Sequence, residues 1–200
     1  EFYETDLDRG YVRGFNMQIT RGGGPLTSAL QGHHSGFIPW GRGHHEAFDG
    51  LFDHVASIGI LAEDLPEEHN AVTLDANLTD SDGIPAPKID YTLSENSRKM
   101  LDFGEDRAVE VMEAAGAIDV RKTGLYRLSG WHLLGTARMG NDPEKSVVNS
   151  WGRSHDVKNL FIVDGSVFVT SGGLNPTSTI QAIGLHVADS IKKNLANLFD

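Results

Sequence analysis

Apolar and polar positions alternate most clearly near the start of the chain. Gly10–Thr20 places Tyr11, Arg13, Phe15, Met17 and Ile19 on one side, the period-two pattern of a strand with one buried face, broken only at Arg13. From Arg21 to His45 the pattern dissolves into Gly, His, Ser and Pro. That reads as a loop or lid, followed by a short helix over Glu46–Ser57. Two further strand-like runs, Ala71–Leu78 and Lys88–Leu93, flank a stretch whose Asp82-Gly83 supplies a turn signal, so an antiparallel hairpin is expected. At Ser94 the period changes. A serine N-cap with Glu95 in the first turn opens a helix that puts Met100, Phe103, Val111, Met112 and Ala115 near one face, and Gly116 is placed to stop it. Asn159–Asp164 is a continuous apolar run, the pattern of a strand covered on both faces in a parallel sheet. Ser178–Leu195 then carries Ile180, Ile183, Val187, Ala188, Ile191 and Leu195 at helical spacing, with Lys192 and Lys193 near an end whose dipole favours them. His186 on this helix reads as a packed or boundary histidine.

Composition narrows the classes. The 200 residues suffice for one buried core, or for one domain plus a large piece of another, and 39% hydrophobic with 22% charged residues is ordinary for a globular chain. A formal net charge of -11 with scattered Lys and Arg argues against nucleic acid, which needs a concentrated basic surface. The absence of cysteine removes disulfides, thiolate nucleophiles and iron-sulfur ligation, so any redox chemistry must come from a bound group. Apolar runs such as Leu160–Val163 are far too short to span a bilayer, and a soluble chain is expected; the first residues lack the layout of a signal peptide. The sequence begins abruptly inside what reads as folded chain, so a fragment or one subunit of a larger protein is expected.

The candidate chemistry lies in the last third. His132 opens the run His-Leu-Leu-Gly-Thr-Ala-Arg-Met-Gly, Asp164-Gly165-Ser166 follows the apolar run, and Asn175-Pro176-Thr177 sits where the last helix should begin. A histidine and an asparagine, neither beside a cysteine or a carboxylate cluster, suit alcohol oxidation. The imidazole takes the hydroxyl proton, the carboxamide holds the oxygen, and the hydride must pass to a bound acceptor, because neither side chain can take it. The histidine pairs His33-His34 and His44-His45 are a rival, as imidazoles of a small metal-binding domain. They lack i, i+4 spacing and any nearby acidic ligand apart from Glu46, so no metal site is assigned and the segment is expected to shape a substrate entrance or a subunit contact.

Taken in order, His-Leu-Leu-Gly-Thr-Ala-Arg-Met-Gly, Asn-Leu-Phe-Ile-Val-Asp-Gly-Ser and Asn-Pro-Thr-Ser-Thr-Ile-Gln-Ala resemble the carboxyl-terminal part of the glucose-methanol-choline (GMC) flavin oxidoreductases. Upstream, Asn-Ala-Val-Thr-Leu-Asp, Asp-Gly-Ile-Pro and Tyr-Thr-Leu-Ser-Glu-Asn look like that family's substrate domain, so the likeness covers most of the chain. The resemblance implies an α/β (α+β) chain in two parts. Residues 1–150 would be a substrate-binding and catalytic region with an antiparallel sheet and helices, and 151–200 the terminal strand and helix of a Rossmann-like FAD domain. It also implies FAD as cofactor, His132 as catalytic base with Asn175 as its partner, and Asp164, Gly165, Asn175, Pro176 and Thr177 against the flavin. The motif with Arg-Met-Gly looks closest to sugar or sugar-acid oxidising branches, so the substrate would be an alcohol on a sugar, polyol or sugar acid.

One departure from the family pattern is large. The amino-terminal Gly-x-Gly-x-x-Gly strand-turn-helix is absent, and Arg21-Gly-Gly-Gly-Pro25 lacks its spacing and carries a proline that opposes the helix entry. An amino-terminal FAD-binding polypeptide or subunit is therefore the expected partner. The alternative reading is a non-catalytic subunit that keeps the fold beside a flavin-carrying partner; the presence of both His132 and Asn175 argues against it.

Overall fold

The computed structural model describes residues 2–125 and 131–198. Its regular elements are β1 (Phe15–Arg21), α1 (Pro25–His34), α2 (His44–Leu51), β2 (Ala56–Ala62), β3 (Ala71–Thr79), β4 (Pro85–Asp90), α3 (Glu95–Ala114) and α4 (Thr177–Lys193), joined by short 3-10 turns and long irregular stretches. The chain is thus a mixed α/β structure with two small antiparallel sheets, β1-β2 and β3-β4.

The alternation at the start of the chain becomes a strand only from Phe15, because Arg13 takes a left-handed φ of 74° and turns the chain there. β1 pairs with β2 from Phe15↔Ala62 to Arg21↔Ala56. Since side chains alternate across a strand, Phe15, Met17, Ile60 and Ala62 share one face and Asn16, Gln18, Gly59 and Leu61 the other. The first face holds the main core: Tyr11, Phe15 and Met100 are buried together, with Phe2, Met17, Ile60, Ala62 and Phe103 packed around them. Phe2 stacks on Phe15 at 5.4 Å between ring centroids, and Phe103 meets Tyr11 edge-on at 5.7 Å. α3 lies close on this face because Gly104 leaves room for it; a Cβ there would stand 2.8 Å from Ile60 Cγ2. Its start is set by Ser94, whose hydroxyl accepts the Ser97 N–H, and its end by Gly116 at φ 87°.

Several sequence expectations are corrected. The stretch read as a loop or lid contains α1, started by Gly24 and by Pro25 at its first turn, with Gly32 packed under Ile38. The helix expected over 46–57 is α2 at His44–Leu51, and the strand β2 that follows it was unforeseen, because Gly59 and two alanines dilute its period. The expected hairpin is present, but its second strand is Pro85–Asp90; Pro85 and Pro87 are tolerated because a two-stranded sheet has only edges. Val111, at the far end of the α3 stripe, is 44% exposed. His186 is exposed on α4, not packed.

The largest correction concerns Asn159–Asp164, which forms no regular strand. One antiparallel bridge, Arg153↔Phe161, and a bond from the Ile162 N–H to the Gly152 carbonyl tie it down, while Leu160 and Val163 stay 46% and 44% exposed. Apart from this antiparallel contact with residues 152–154, no run pairs with it among the described residues, and none is parallel to it. The region is held instead by buried Val148, Val167 and Val187, the last from α4 packed over Gly152. No helix among the described residues is long and apolar enough to cross a membrane.

Candidate active site

His132 lies exposed in an irregular run, and its backbone takes a left-handed φ of 62°. For a residue with a Cβ that conformation costs on the order of 1 kcal/mol. The run that follows is zipped to the turn after Asp164: the N–H groups of Gly135, Ala137 and Met139 donate to the carbonyls of Gly165, Ser166 and Val167 at 3.2, 2.8 and 2.9 Å. Gly165 is the buried meeting point. A Cβ there would stand 2.7 Å from Leu134 Cδ2, 3.2 Å from the Leu133 carbonyl and 3.3 Å from Ile180 Cδ1, so the His132 run, the Asp-Gly turn and α4 converge where only glycine fits without a shift. Asp164 caps the turn, its Oδ1 accepting the Ser166 N–H at 2.8 Å. The Ser166 hydroxyl and then its amide hold the Asp164 carboxyl below the usual carboxylate range.

Asn175 stands exposed two residues before α4, whose start carries no side-chain cap and no acidic residue in its first turn. The segment leading to it lies on the second face of β1-β2. Arg13 reaches the Thr170 hydroxyl at 3.5 Å, the Ser171 hydroxyl donates to the Asp64 carbonyl at 2.6 Å, and a Cβ on Gly173 would stand 3.4 Å from the Leu61 carbonyl. Asn175 Oδ1 accepts from Gln18 Nε2 at 3.0 Å. The structure therefore anchors the two motif segments by separate routes, the run after His132 on the Gly165 turn and the segment bearing Asn175 on the β1-β2 sheet. No hydrogen bond joins the two side chains among the described residues.

Just past β2, Asp64 joins three other segments. Its carboxylate accepts from the Tyr91 phenol at 2.5 Å and the Ser97 hydroxyl at 2.6 Å, while its carbonyl takes Ser171. Burial first, and then the hydrogen bond to Asp64, push the Tyr91 phenol well above its usual range. Beside it Glu63, 7% exposed, faces Arg13 at 3.8 Å. Neither Gln18 nor Asp64 belongs to a sequence motif; the only hint of Gln18 is that alternation puts it on the polar side of β1. The histidine pairs cap the α1-α2 connection, His33 Nδ1 donating to the Ile38 carbonyl at 3.2 Å and His44 Nδ1 to the Pro39 carbonyl at 3.1 Å. Among the described residues no group of three or more acidic or histidine side chains is arranged to hold a metal ion.

Comparison with known proteins agrees with the ordered motifs. The 2-methyl-1,2-propanediol dehydrogenase of Mycolicibacterium austroafricanum is 43% identical over 202 residues, covering 100% of this chain and 36% of that protein. The 6'''-hydroxyparomomycin C oxidase of Streptomyces lividus is 43% identical over 141 residues, covering 70% of the chain and 26% of its own length. The fructose dehydrogenase large subunit of Gluconobacter japonicus is 35% identical over 133 residues, 66% of the chain and 24% of that protein. The chain thus spans little more than a third, or less, of the length of these curated relatives. The family model of GMC oxidoreductases matches residues 66–184, more than half of the chain and inclusive of His132, Asp164 and Asn175. This chain belongs to the GMC oxidoreductase family.

Proposed function

We propose that this chain forms the catalytic part of an FAD-dependent enzyme that oxidises an alcohol on a sugar, polyol or sugar acid. Residues 1–150 serve as the substrate and catalytic region, and 151–200 complete a Rossmann-like FAD domain supplied mainly by an amino-terminal polypeptide or segment. The observation that carries the reading is the convergence of the His132 run and the α4 start on buried Gly165, with Asn175 at the mouth of that helix. The relatives' names support the substrate class, since they act on a diol, an aminoglycoside and a ketose.

The residues present suit FAD. The uncapped start of a 17-residue helix, with no acidic side chain in its first turn, offers N–H donors and the positive end of a dipole. Those donors match an electron-accepting ring edge where negative charge gathers on reduction. Asn175, Pro176 and Thr177 would border that ring, and the Asp164-Gly165 turn its polar tail. His132 would take the substrate O–H proton, which raises electron density at the carbon, and the bound FAD would supply the acceptor for the hydride released from its C–H bond. Asn175 donates to the oxygen as it becomes a carbonyl. The exposed His132 ring and the left-handed backbone that presents it support the base role, because strained backbone is retained where it serves a site.

The direct test is His132→Ala in the complete FAD-loaded enzyme, followed by anaerobic stopped-flow reduction. Flavin reduction should slow on the order of 10²–10⁴-fold, the usual contribution of a general base, with flavin content unchanged. Bleaching at the parent's speed would remove His132 from the chemistry.

A further inference from the structure

The carboxamide of Asn175 has two chemically opposite ends, and only one helps an oxygen that is becoming negative. Its NH₂ donates; its oxygen repels. The oxygen is already taken, because Gln18 Nε2 donates to Asn175 Oδ1 at 3.0 Å across 157 positions of sequence. Among the described residues neither Asn175 Nδ2 nor Gln18 Oε1 has a partner, so the joined amides present one donor and one acceptor side by side.

The surroundings keep this pair fixed and open. Gln18 sits on the β1-β2 face opposite the aromatic core, and the segment bearing Asn175 is docked on the same sheet through Ser171 and Gly173. The cross-strand neighbour of Gln18 is Gly59, which has no side chain; a Cβ built there would meet nothing closer than the Gln18 carbonyl at 3.8 Å. The β2 residue paired with Gln18 thus adds no side chain on the face that carries the two amides.

We propose that Gln18 is the positioning residue that turns the Asn175 NH₂ toward the reacting oxygen, and that its own free carbonyl selects substrates with hydroxyls on adjacent carbons. One hydroxyl accepts from Asn175 Nδ2, and its neighbour donates to Gln18 Oε1. This rests on the proposed role of Asn175 and adds to it a residue and a substrate class, the vicinal diol.

The test uses the complete FAD-loaded enzyme with Gln18→Glu, Gln18→Leu, Asn175→Ala and the Gln18→Leu/Asn175→Ala double variant. Each is read by melting temperature and by anaerobic flavin reduction with 1,2-butanediol and with 1-butanol. Glutamate at position 18 can only accept, so it draws the Asn175 NH₂ toward itself and turns the wrong end to the substrate. Gln18→Glu should slow reduction by both alcohols on the order of tenfold, more than Gln18→Leu, with melting unchanged. Gln18→Leu should also lower the ratio of kcat/KM for the diol over the mono-alcohol several-fold, and with 1-butanol it should add nothing in the Asn175→Ala background. Parent-like rates in both Gln18 variants, an unchanged diol preference, or a full Gln18→Leu effect in the absence of Asn175 would each overturn the inference while leaving Asn175 in place. Parent-like reduction in Asn175→Ala would overturn both this inference and the role of Asn175 itself.

Discussion

His132 and Asn175 are held in opposite ways. Asn175 is secured by side chains and backbone seated on a regular sheet: Gln18 on its carboxamide, Ser171 on Asp64, and Gly173 against the Leu61 carbonyl. Among the described residues no side chain bonds to the His132 ring. Its position comes from a left-handed backbone and from a ladder of three N–H bonds between two irregular stretches, closed by a glycine too crowded for a side chain. The carboxamide is thus oriented by its own contacts, whereas the imidazole is placed by the path of the chain. A group that only donates gains from being fixed, and a group that must give and take a proton keeps its ring nitrogens free.

The comparison breaks most visibly at Gly165. Gly165→Val would thrust new methyls into space already bounded by the Leu133 carbonyl and Ile180, and the carbonyl cannot yield without moving the residue next to His132. Overpacking of this kind costs about 1–3 kcal/mol. The variant should melt several degrees lower and reduce flavin at least tenfold more slowly, with Asn175-dependent substrate affinity less affected. Parent-like melting and turnover together would show that this turn does not place the base. A smaller effect is expected on the other side. Ser171→Ala removes one hydrogen bond to the Asp64 carbonyl, about 0.5–1.5 kcal/mol, and loosens the segment bearing Asn175. Flavin reduction should slow a few-fold, which anaerobic stopped-flow with one alcohol would check; a parent-like rate would mean that Gly173 and Gln18 alone hold the segment.

The same contrast explains what the sequence made legible. α3 could be placed because its serine cap, period and glycine stop are local signals, α4 because of its period and terminal lysines, and the β3-β4 hairpin because its turn residues are explicit. β2 could not, since Ala56–Ala62 is held by β1, distant in sequence; α1 could not, since its Gly, His and Ser residues carry little helical period and it packs through Gly32 on Ile38 just beyond its end. Asn159–Asp164 misled for the converse reason. Its residues have the composition of a buried strand, but among the described residues its one partner is the short antiparallel run 152–154. For the site, motif order picked out His132, Asp164, Gly165 and Asn175, whereas Gln18 and Asp64 act through contacts that no short pattern encodes.

The smallest expected effect isolates the cap of the turn that carries His132. Asp164 is exposed, and the Ser166 hydroxyl and amide lower its pKa in the folded chain. A carboxyl with a depressed folded pKa contributes stability that is fully present above its unfolded value, near 3.9, and fades as pH falls through the folded value. Asp164→Asn keeps an oxygen able to accept the Ser166 N–H but removes the charge, so the variant should melt only slightly below the parent at neutral pH. The gap should hold constant down to about pH 4 and close below it. Melting curves of the two proteins from pH 7 to pH 3 measure this directly. A gap that persisted at the acid end would assign the difference to the geometry of the cap, not to its charge, and the hold on His132 would then lie in the backbone ladder alone.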